Sequence, residues 1–445
     1  MATLQPGKSD LAEAPDTEAP KEATFQPSAN DLTEAPDTEA PEEATSQPSD
    51  SDLTEAPESN APIETTSTAQ KRYEERASIS EADFAFSLGQ KLIAAYNDPD
   101  KSFFYSPISV WLPLAALTNA ADDRDKLALL EALGVKNATQ KMLNDYVENM
   151  LSDLEITNSD SPLKIANALY VSNRETVNEE FRSIFEYGYH GKVFNLNFAS
   201  PESVDAINNW ASEHTGGLIP NLIDSRSFNE SIAVSVLNAA YFSDKWDLEF
   251  DTELTDPRLF HAASGDVTAN FMHRSSDNLT YFEDEHIQAI SLSYAGGARM
   301  WIMLPKNETA NDFLESLTVW RFEDIKRNSR ECAGTLLLPR FEANIDIDLR
   351  DALKGIGVSI FGTELTGLVE SNSVATSSAK QKAVIKVDEE GTTAAAVTYF
   401  LGAPGSAGIP QPAKSFRMVC DKPFAFVLEK DDQILFMGAV NNPEE

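Results

Sequence analysis

The hydrophobic pattern of the chain changes near residue 73. Residues 1–72 contain few large apolar side chains and repeat a 21-residue unit that starts at Asp10, Asp31 and Asp52. Such a segment buries too little apolar surface to offset the entropy of ordering. The sequence therefore predicts a disordered, acidic Pro/Thr/Glu-rich repeat over residues 1–72 and a folded domain over residues 73–445.

Helical spacing dominates the first part of the folded domain. The stretch ISEADFAFSLGQKLIAAYN has apolar residues three and four positions apart, with Ser80 as its N-cap and Asp83 in the first turn. Further helical stretches are PISVWLPLAALTNAA, DKLALLEAL and PESVDAINNWASEHT.

Strand patterns dominate the second part, as in SIAVSVLNAAYFS, QAISLSYAGGARMWIMLP, AGTLLLPRF and PFAFVLE. Helices and strands do not alternate regularly along the chain. The sequence therefore predicts an α+β domain with large, mainly antiparallel sheets. The stretch VDEEGTTAAAVTYFLGAPGSAG, from Val387 to Gly408, fits either a loop or a strand. A run of very small residues at 392–396 is followed by strand-like residues at 397–401 and then by glycine, proline, serine and alanine.

The net charge of the chain, −37, disfavours nucleic acid and anionic membrane surfaces as partners. Residues 1–70 contain 16 Asp/Glu against 2 Lys, so the remaining chain is acidic as well. The acidic repeat is either an extended spacer or a tail that docks on a basic partner. A glycosaminoglycan site is not expected, because the Lys and Arg residues form no dense cluster.

The inventory of reactive side chains gives no catalytic, metal or cofactor site. Two cysteines, Cys332 and Cys420, exclude a disulfide scaffold, and no histidine pair has metal-ligand spacing. The stretch PGSAG resembles a nucleophile elbow, but Pro404 stands where the motif has its first glycine. We therefore expect a protein without its own catalytic groups, metal or cofactor.

Five blocks of the folded domain resemble serpins, and they occur in the family's order. They are FFYSPISVWLPLAAL, SVLNAAYFSDKWDLEF, LLPRFEANIDIDLRDALKGIGVSIFG, KAVIKVDEEGTTAAAVTYF and CDKPFAFVLEKDDQILFMGAVNNP. Together the similar regions span roughly residues 78–443. The resemblance implies a fold of three β-sheets and about nine helices with an exposed reactive-centre loop.

The resemblance also implies an inhibitor of serine proteases that acts as a suicide substrate. The protease cleaves the loop and becomes acylated, and the loop then inserts into the main sheet and traps the enzyme. The hinge of this loop maps onto Glu389, Glu390, Gly391, Thr392, Thr393, Ala394, Ala395 and Ala396. Thr392, Ala394 and Ala396 share one face of an extended strand and are small and uncharged, and Gly391 adds backbone freedom.

Counting from Glu389 as the family's seventeenth residue before the scissile bond places that bond at Gly405–Ser406. Cleavage after Leu401, Ala403 or Ala407 stays open. No Arg or Lys lies between Gly391 and Ala413, which disfavours a trypsin-like target. Small residues suit the shallow pocket of an elastase-like or subtilisin-like protease, and cross-inhibition of cysteine proteases stays open.

Two further groups of residues carry over from the family. The shutter, where the sheet opens, maps onto Ser106, Pro107, Ser109, Asn238 and Gln381, and the breach, where the loop first enters, contains Trp246. The family often has histidine where this chain has Gln381. Because glutamine does not titrate near neutrality, we expect no pH control through that position.

The resemblance implies a monomer that forms a covalent acyl complex with its target and is open to polymerisation, in which one loop enters another molecule's sheet. It also implies an extracellular protein, although the N-terminus shows no secretory signal and an intracellular location stays open. The alternative is a non-inhibitory serpin that acts as a carrier or chaperone. The small, uncharged residues Thr392, Ala394 and Ala396 favour the inhibitor.

Overall fold

The computed structural model describes residues 77–155, 163–198, 200–214, 217, 219–223, 234–358, 360–361, 365–371, 376–392 and 415–444. The predicted acidic repeat, residues 1–72, lies outside this part of the chain. No helix of the described part is both long enough and apolar enough to cross a membrane.

The described residues contain nine α-helices. They are α1 (Glu81–Ala95), α2 (Pro107–Leu117), α3 (Asp123–Ala132), α4 (Gln140–Glu155), α5 (Glu179–Ser183), α6 (Pro201–His214), α7 (Ala310–Ser316), α8 (Val319–Asn328) and α9 (Arg350–Gly355). The predicted cap of α1 is confirmed, because Ser80 Oγ accepts a hydrogen bond from the backbone N–H of Asp83 at 3.2 Å.

A seven-stranded sheet, called sheet A below, carries the site of interest. Its strands are β4 (Leu163–Ser172), β5 (Gly191–Leu196), β6 (Val234–Phe242), β7 (Asp244–Lys245), β13 (Phe341–Asp348), β14 (Thr376–Val387) and β15 (Gly391–Thr392). The five long strands lie in the order β5-β4-β6-β14-β13, and β6 and β14 run parallel. The short strands β15 and β7 add to one end of the sheet, next to the end of β14.

A nine-stranded sheet forms the other large layer. Its strands are β2 (Phe103–Tyr105), β8 (Asp256–Ala262), β9 (Gly265–Glu283), β10 (Ile287–Ser293), β11 (Arg299–Pro305), β12 (Arg330–Pro339), β16 (Phe416–Val419), β17 (Phe424–Lys430) and β18 (Gln433–Val440). A two-stranded sheet pairs β1 (Ser78–Ile79) with β3 (Val135–Lys136). The predicted α+β fold with large, mainly antiparallel sheets is confirmed. The 19-residue strand β9 pairs with β8, β12 and β10 and so joins what would otherwise be two separate sheets.

Sheet A is covered on both faces, which follows from the alternation of side chains along β14. Ala383, Ile385 and Val387 are buried in the main core on the same side as α2, and we call this side the core face. The opposite side, the front face, packs against α6 through a second hydrophobic cluster that includes Tyr170 and Trp210. The rings of these two residues meet edge to face at 6.1 Å. Any strand added to sheet A must therefore fit between two packed layers.

Candidate functional site

The hinge segment turns back sharply after β14 and re-enters sheet A. Thr392 pairs with Val387 of β14 on one side and with Asp244 of β7 on the other. Its side chain is buried, and its hydroxyl lies 2.8 Å from the hydroxyl of Tyr294, with which it is hydrogen-bonded. The first hinge residues thus already occupy a strand position at this end of the sheet.

Gly391 is required at this turn by backbone geometry and by space. Its φ of +154° lies in a region that other residues rarely adopt, and an added Cβ would collide with the backbone carbonyl of Asp244. The sequence predicts Gly391 in the hinge because glycine gives the backbone conformational freedom. The structure adds a close approach between two backbones as a second reason.

Trp246, the predicted breach residue, contacts the turn directly. Its indole Nε1 donates to the carbonyl of Asp388 at 2.9 Å, and its backbone N–H donates to the carbonyl of Glu390 at 2.9 Å. The ring is buried and stacks on Tyr294 with 4.2 Å between ring centroids. Trp246 is therefore both a core residue and a direct contact of the hinge.

Glu389 is the one buried charge of the hinge that the described residues show. Its side chain is 4% exposed and accepts hydrogen bonds from Arg340, from Nε at 2.8 Å and from Nη2 at 2.6 Å, and from the hydroxyl of Thr255. Burial alone would raise the pKa of Glu389. The bonds from Arg340 and Thr255 outweigh burial, so the pKa is lowered and the carboxylate stays ionised.

The shutter residues come together on the core face of sheet A, about midway along β14. The side-chain Oε1 of Gln381 accepts from the backbone N–H of Ser106 at 2.9 Å. Its Nε2 donates to the carbonyl of Ser106 at 2.9 Å and to the hydroxyl of Ser109 at 2.7 Å. Pro107 begins α2 here, where its missing N–H costs no helical bond. All three hydrogen-bonding residues are buried and uncharged.

Asn238 joins this group by its position in the sheet. It stands opposite Gln381 on β14 and opposite Asn167 on β4, so three amide residues form one row across the strands. The side chain of Asn238 is outside the described part. The hydroxyl Oγ of Ser106 is buried beside the row without a hydrogen-bond partner in the described structure.

The boundary between β6 and β14 is closed at one end and open at the other. The described ladder between these strands runs from the pair Thr376–Val234 to the pair Lys382–Ala239. Farther along β14, the next pairing on that side is Val387 with Thr392 of the hinge. The hinge therefore sits at the mouth of a gap between the two central strands.

The remaining predicted residues lie outside the described part of the chain. These are Thr393, Ala394, Ala395 and Ala396 of the hinge, and Leu401, Ala403, Gly405, Ser406 and Ala407 at the candidate scissile bonds. Sequence reasoning missed three described contacts of the hinge, namely Arg340, Thr255 and Tyr294. Nothing in their local sequence marks them, because each meets the hinge only through the fold.

Several known proteins are similar to this chain over most of its length. Iripin-2 of Ixodes ricinus is 30% identical over 381 residues, which cover 83% of this chain and 94% of that protein. The plasma serine protease inhibitor of Bos taurus is 29% identical over 375 residues, which cover 81% and 90%. Among solved structures, Serpin48 of the insect Tenebrio molitor has a TM-score of 0.70 at 27% identity, covering 81% of this chain and 96% of that one.

A thyroxine-binding globulin in complex with thyroxine has a TM-score of 0.72 at 24% identity, covering 82% of this chain and 98% of that one, a likeness that shows the fold alone. The family model described as Serpin (serine protease inhibitor) matches residues 80–443. That match covers most of the chain and includes every described residue of the hinge, breach and shutter. The chain therefore belongs to the serpin family.

Proposed function

We propose that this serpin inhibits a serine protease as a suicide substrate, with residues 389–396 as the hinge of its reactive-centre loop. The observation that carries the proposal is the position of Thr392, which is buried and paired on both sides at the mouth of the gap between β6 and β14. The chain that follows it needs only to continue in the same register to become a new central strand.

The pair Val387–Thr392 sets that register. In antiparallel pairing each step forward along the loop is a step back along β14. In the inserted strand, Lys382 would come opposite Val397, and Thr376, the first residue of β14, would come opposite Ala403. The length of β14 thus accommodates residues 392–403, which supports a scissile bond just beyond it at Gly405–Ser406, with Leu401, Ala403 and Ala407 as alternatives.

The side chains of the loop suit both faces of such a strand. Thr392 lies on the core face, so Ala394, Ala396 and Thr398 would follow it there by the two-residue period of a strand. None of them brings a charge into the core. Thr398 would come opposite Gln381, where its hydroxyl can hydrogen-bond with the buried side-chain amide of that residue.

The protease carries out the bond-breaking steps, and the serpin supplies the free energy of strand insertion. The serine oxygen of the protease attacks the carbonyl carbon of Gly405, the bond to the nitrogen of Ser406 breaks, and the new amine takes up a proton and leaves. Insertion then carries the acyl ester away from the hinge end of sheet A. Each added ladder hydrogen bond contributes about 1 kcal/mol, so a strand bonded along both edges contributes on the order of 10 kcal/mol.

The composition of the loop supports an elastase-like or subtilisin-like target, since no Arg or Lys lies between Gly391 and Ala413. An extracellular site of action is proposed because one relative is named a plasma inhibitor. The carrier or chaperone alternative predicts a loop that is cleaved without insertion, and the experiment below distinguishes the two.

The test mixes the full chain with an elastase and with a subtilisin, followed by denaturing gels and mass measurement of the released C-terminal peptide. We expect a complex that resists denaturant and a peptide that begins at Ser406. A different first residue would retain the mechanism and move the bond. Cleavage without a complex, and without a gain in heat stability, would contradict the proposal.

A pair of variants tests the orientation of the hinge. Thr392→Arg places a charge on the core face beside Tyr294, so we expect complex formation to fall by at least about tenfold, the effect of a cost above roughly 1.4 kcal/mol. The matched control is Thr393→Arg, which would come opposite the exposed Lys386 on the front face. We expect this control to retain most of its complex formation, and equal losses in both variants would contradict the proposed register.

A further inference from the structure

Glu81 is a buried carboxyl group that takes no part in the proposed mechanism. It is the first residue of α1, and its side chain lies in the core. Oε2 accepts a hydrogen bond from the backbone N–H of Ile434, at the start of β18, at 3.1 Å. Oε1 is buried as well and has no hydrogen-bond partner in the described structure. A single hydrogen bond of this carboxyl group therefore joins the start of α1 to the start of β18.

The elements packed around Glu81 present apolar side chains and phenol groups to it. Helix α2 and strand β18, which both contact α1, contain no charged residue. Tyr105 on β2 and Tyr146 on α4 lie close enough for the charge of Glu81 to act on them. Burial first, and this negative charge second, raise the pKa of both phenols, so both are neutral near pH 8. Neither phenol supplies a positive charge to the carboxyl group.

The cations of the neighbouring elements, in the described part of the chain, are exposed or engaged with other carboxylates. On α8, Lys326 donates to Glu429 at 2.8 Å and to Asp432 at 3.3 Å, and the other cations are exposed or paired. Lys430, before β18, acts on Asp244. The charged residues of α7, α9 and β3, and those of α4 up to residue 153, are exposed. The carboxyl group of α1 therefore has no countercharge among the described residues.

A buried carboxyl group without a countercharge is more stable when it is neutral, because the charged form loses its hydration. Two features oppose this effect, namely the position of Glu81 at a helix N-terminus and its bond to Ile434. Burial is the larger cause and raises the pKa of Glu81 to about 8, although the bond to Ile434 lowers it. A neutral group keeps the bond to Ile434 on Oε2 and carries its proton on Oε1. The contact between α1 and β18 is therefore intact while the proton is bound.

We propose that Glu81 is a proton-dependent latch, which holds the first turn of α1 on the start of β18 while its carboxyl group is neutral and releases that turn when the group ionises. The folded domain thus holds its first helix more firmly in mildly acidic than in mildly alkaline solution. This inference does not depend on the proposed function, because the described contacts of Glu81 include no residue of the hinge, the breach or the shutter.

The first test compares the full-length wild type with Glu81→Gln by urea denaturation between pH 5 and pH 9. The pKa of Glu81 is about 8 in the folded state against 4.5 in the unfolded state, so between these values only the folded state holds the proton. Stability from this group is therefore present below pH 4.5, falls as pH rises, and is lost above pH 8. Relative to Glu81→Gln, we expect the unfolding equilibrium constant of the wild type to rise at least about tenfold between pH 5.5 and 7.5. The contribution of Glu389 cancels, since both proteins carry it.

The second test detects the release itself by amide hydrogen exchange of the peptides that contain α1 and β18. At pH 9 we expect these peptides to exchange at least about fivefold faster in the wild type than in Glu81→Gln, the effect of losing one buried hydrogen bond. At pH 5.5 the two proteins should exchange alike. Comparison at the same pH removes the intrinsic pH dependence of exchange.

Two further variants make the result specific to Glu81. The matched control is Asp83→Asn, which removes a half-buried carboxylate from the same turn. Its unfolding constant should stay within about twofold of the wild type across the pH range, because the latch is intact. Glu81→Leu fills the same space without a titrating group and should show the pH dependence of Glu81→Gln, which covers the case that Glu81→Gln does not fold.

The outcomes decide between a latch and a merely structural contact. If the stability of the wild type changed with pH in parallel with both Glu81→Gln and Glu81→Leu, Glu81 would not titrate and the proposal would be overturned. A different pH dependence of stability with equal exchange at pH 9 would mean that the group ionises without releasing α1, which also overturns it. A pH dependence that disappeared in Asp83→Asn would assign the effect to the other carboxylate.

Discussion

The hinge end of β14 and the middle of β14 are built from different chemistry. At the hinge end, an ion pair between Glu389 and Arg340 and the ring of Trp246 contact the loop segment itself. At the shutter, Gln381 joins Ser106 to β14 through neutral hydrogen bonds. The first region contacts the predicted hinge, and the second connects sheet A to α2.

This difference shows which region can change its hydrogen-bond partners at a low cost in free energy. A buried carboxylate that loses its cation is left with an unpaired charge, which costs several kcal/mol. A glutamine side chain both donates and accepts, so it can take new partners as strands separate. The hinge end is therefore suited to fixing where the loop starts, and the shutter is suited to rearrangement.

The largest expected effect comes from reversing the charge at the hinge end. Glu389→Lys places a second cation beside Arg340 in a buried position. We expect the free energy of unfolding to fall by about 3 kcal/mol. The loss is smaller than for a pair in which both residues are buried, because Arg340 is partly exposed. Urea denaturation of the uncleaved protein measures it.

The matched control for that change is Glu390→Lys, the same charge change at the next, half-exposed residue. We expect it to cost less than about 1 kcal/mol. Equal losses at both positions would mean that the general charge of the turn matters rather than the Arg340 pair.

A smaller effect is expected at the shutter. Gln381→Met retains the side-chain length but leaves the buried N–H of Ser106 and the hydroxyl of Ser109 without this partner, at a cost of about 2 kcal/mol. The loss should be the same at pH 5 and pH 8, since glutamine does not titrate. Gln433→Met, at a half-buried position on β18, serves as the control. A loss of stability in Gln381→Met that varied with pH would contradict the view that uncharged hydrogen bonds hold this contact.

The smallest expected effect is the pH dependence of the hinge end. The folded state lowers the pKa of Glu389, so the stability from this group is fully present above its unfolded pKa of about 4.5 and is lost as pH falls through the lower folded value. Relative to Glu389→Gln, the wild type should lose on the order of 1 kcal/mol more below pH 4. Denaturation midpoints from pH 3 to 7 measure the difference. If the midpoints of the two proteins changed in parallel with pH, the ion pair would not contribute to the pH dependence of stability.

The elements of the fold were predictable where the signal is local. Ser80 as a cap and the stretch SIAVSVLNAAYFS as a strand both depend on residues close in sequence, and the structure confirms both. The grouping of Ser106, Ser109 and Gln381 followed from the family resemblance, and the structure brings them into contact.

The partners of the hinge were not predictable from the sequence. Arg340 lies 49 positions from Glu389, and Tyr294 lies 98 positions from Thr392. Such pairs depend on how strands and segments are placed in space, and no local pattern distinguishes these side chains from others of the same type. The residues at the candidate scissile bonds stay predictions.

The length of β14, twelve residues, sets the length of strand that can pair along it. A strand of that length extends roughly 40 Å, at about 3.3 Å per residue, which exceeds the width of a small domain. Under the proposed mechanism, a loop cleaved closer to Thr392 would move the bound protease a shorter distance. A loop cleaved farther along would leave residues that do not pair between the protease and the sheet. In that mechanism, each residue deleted from or added to the loop would change the distance that the bound protease moves by about 3.3 Å, the rise of one strand residue.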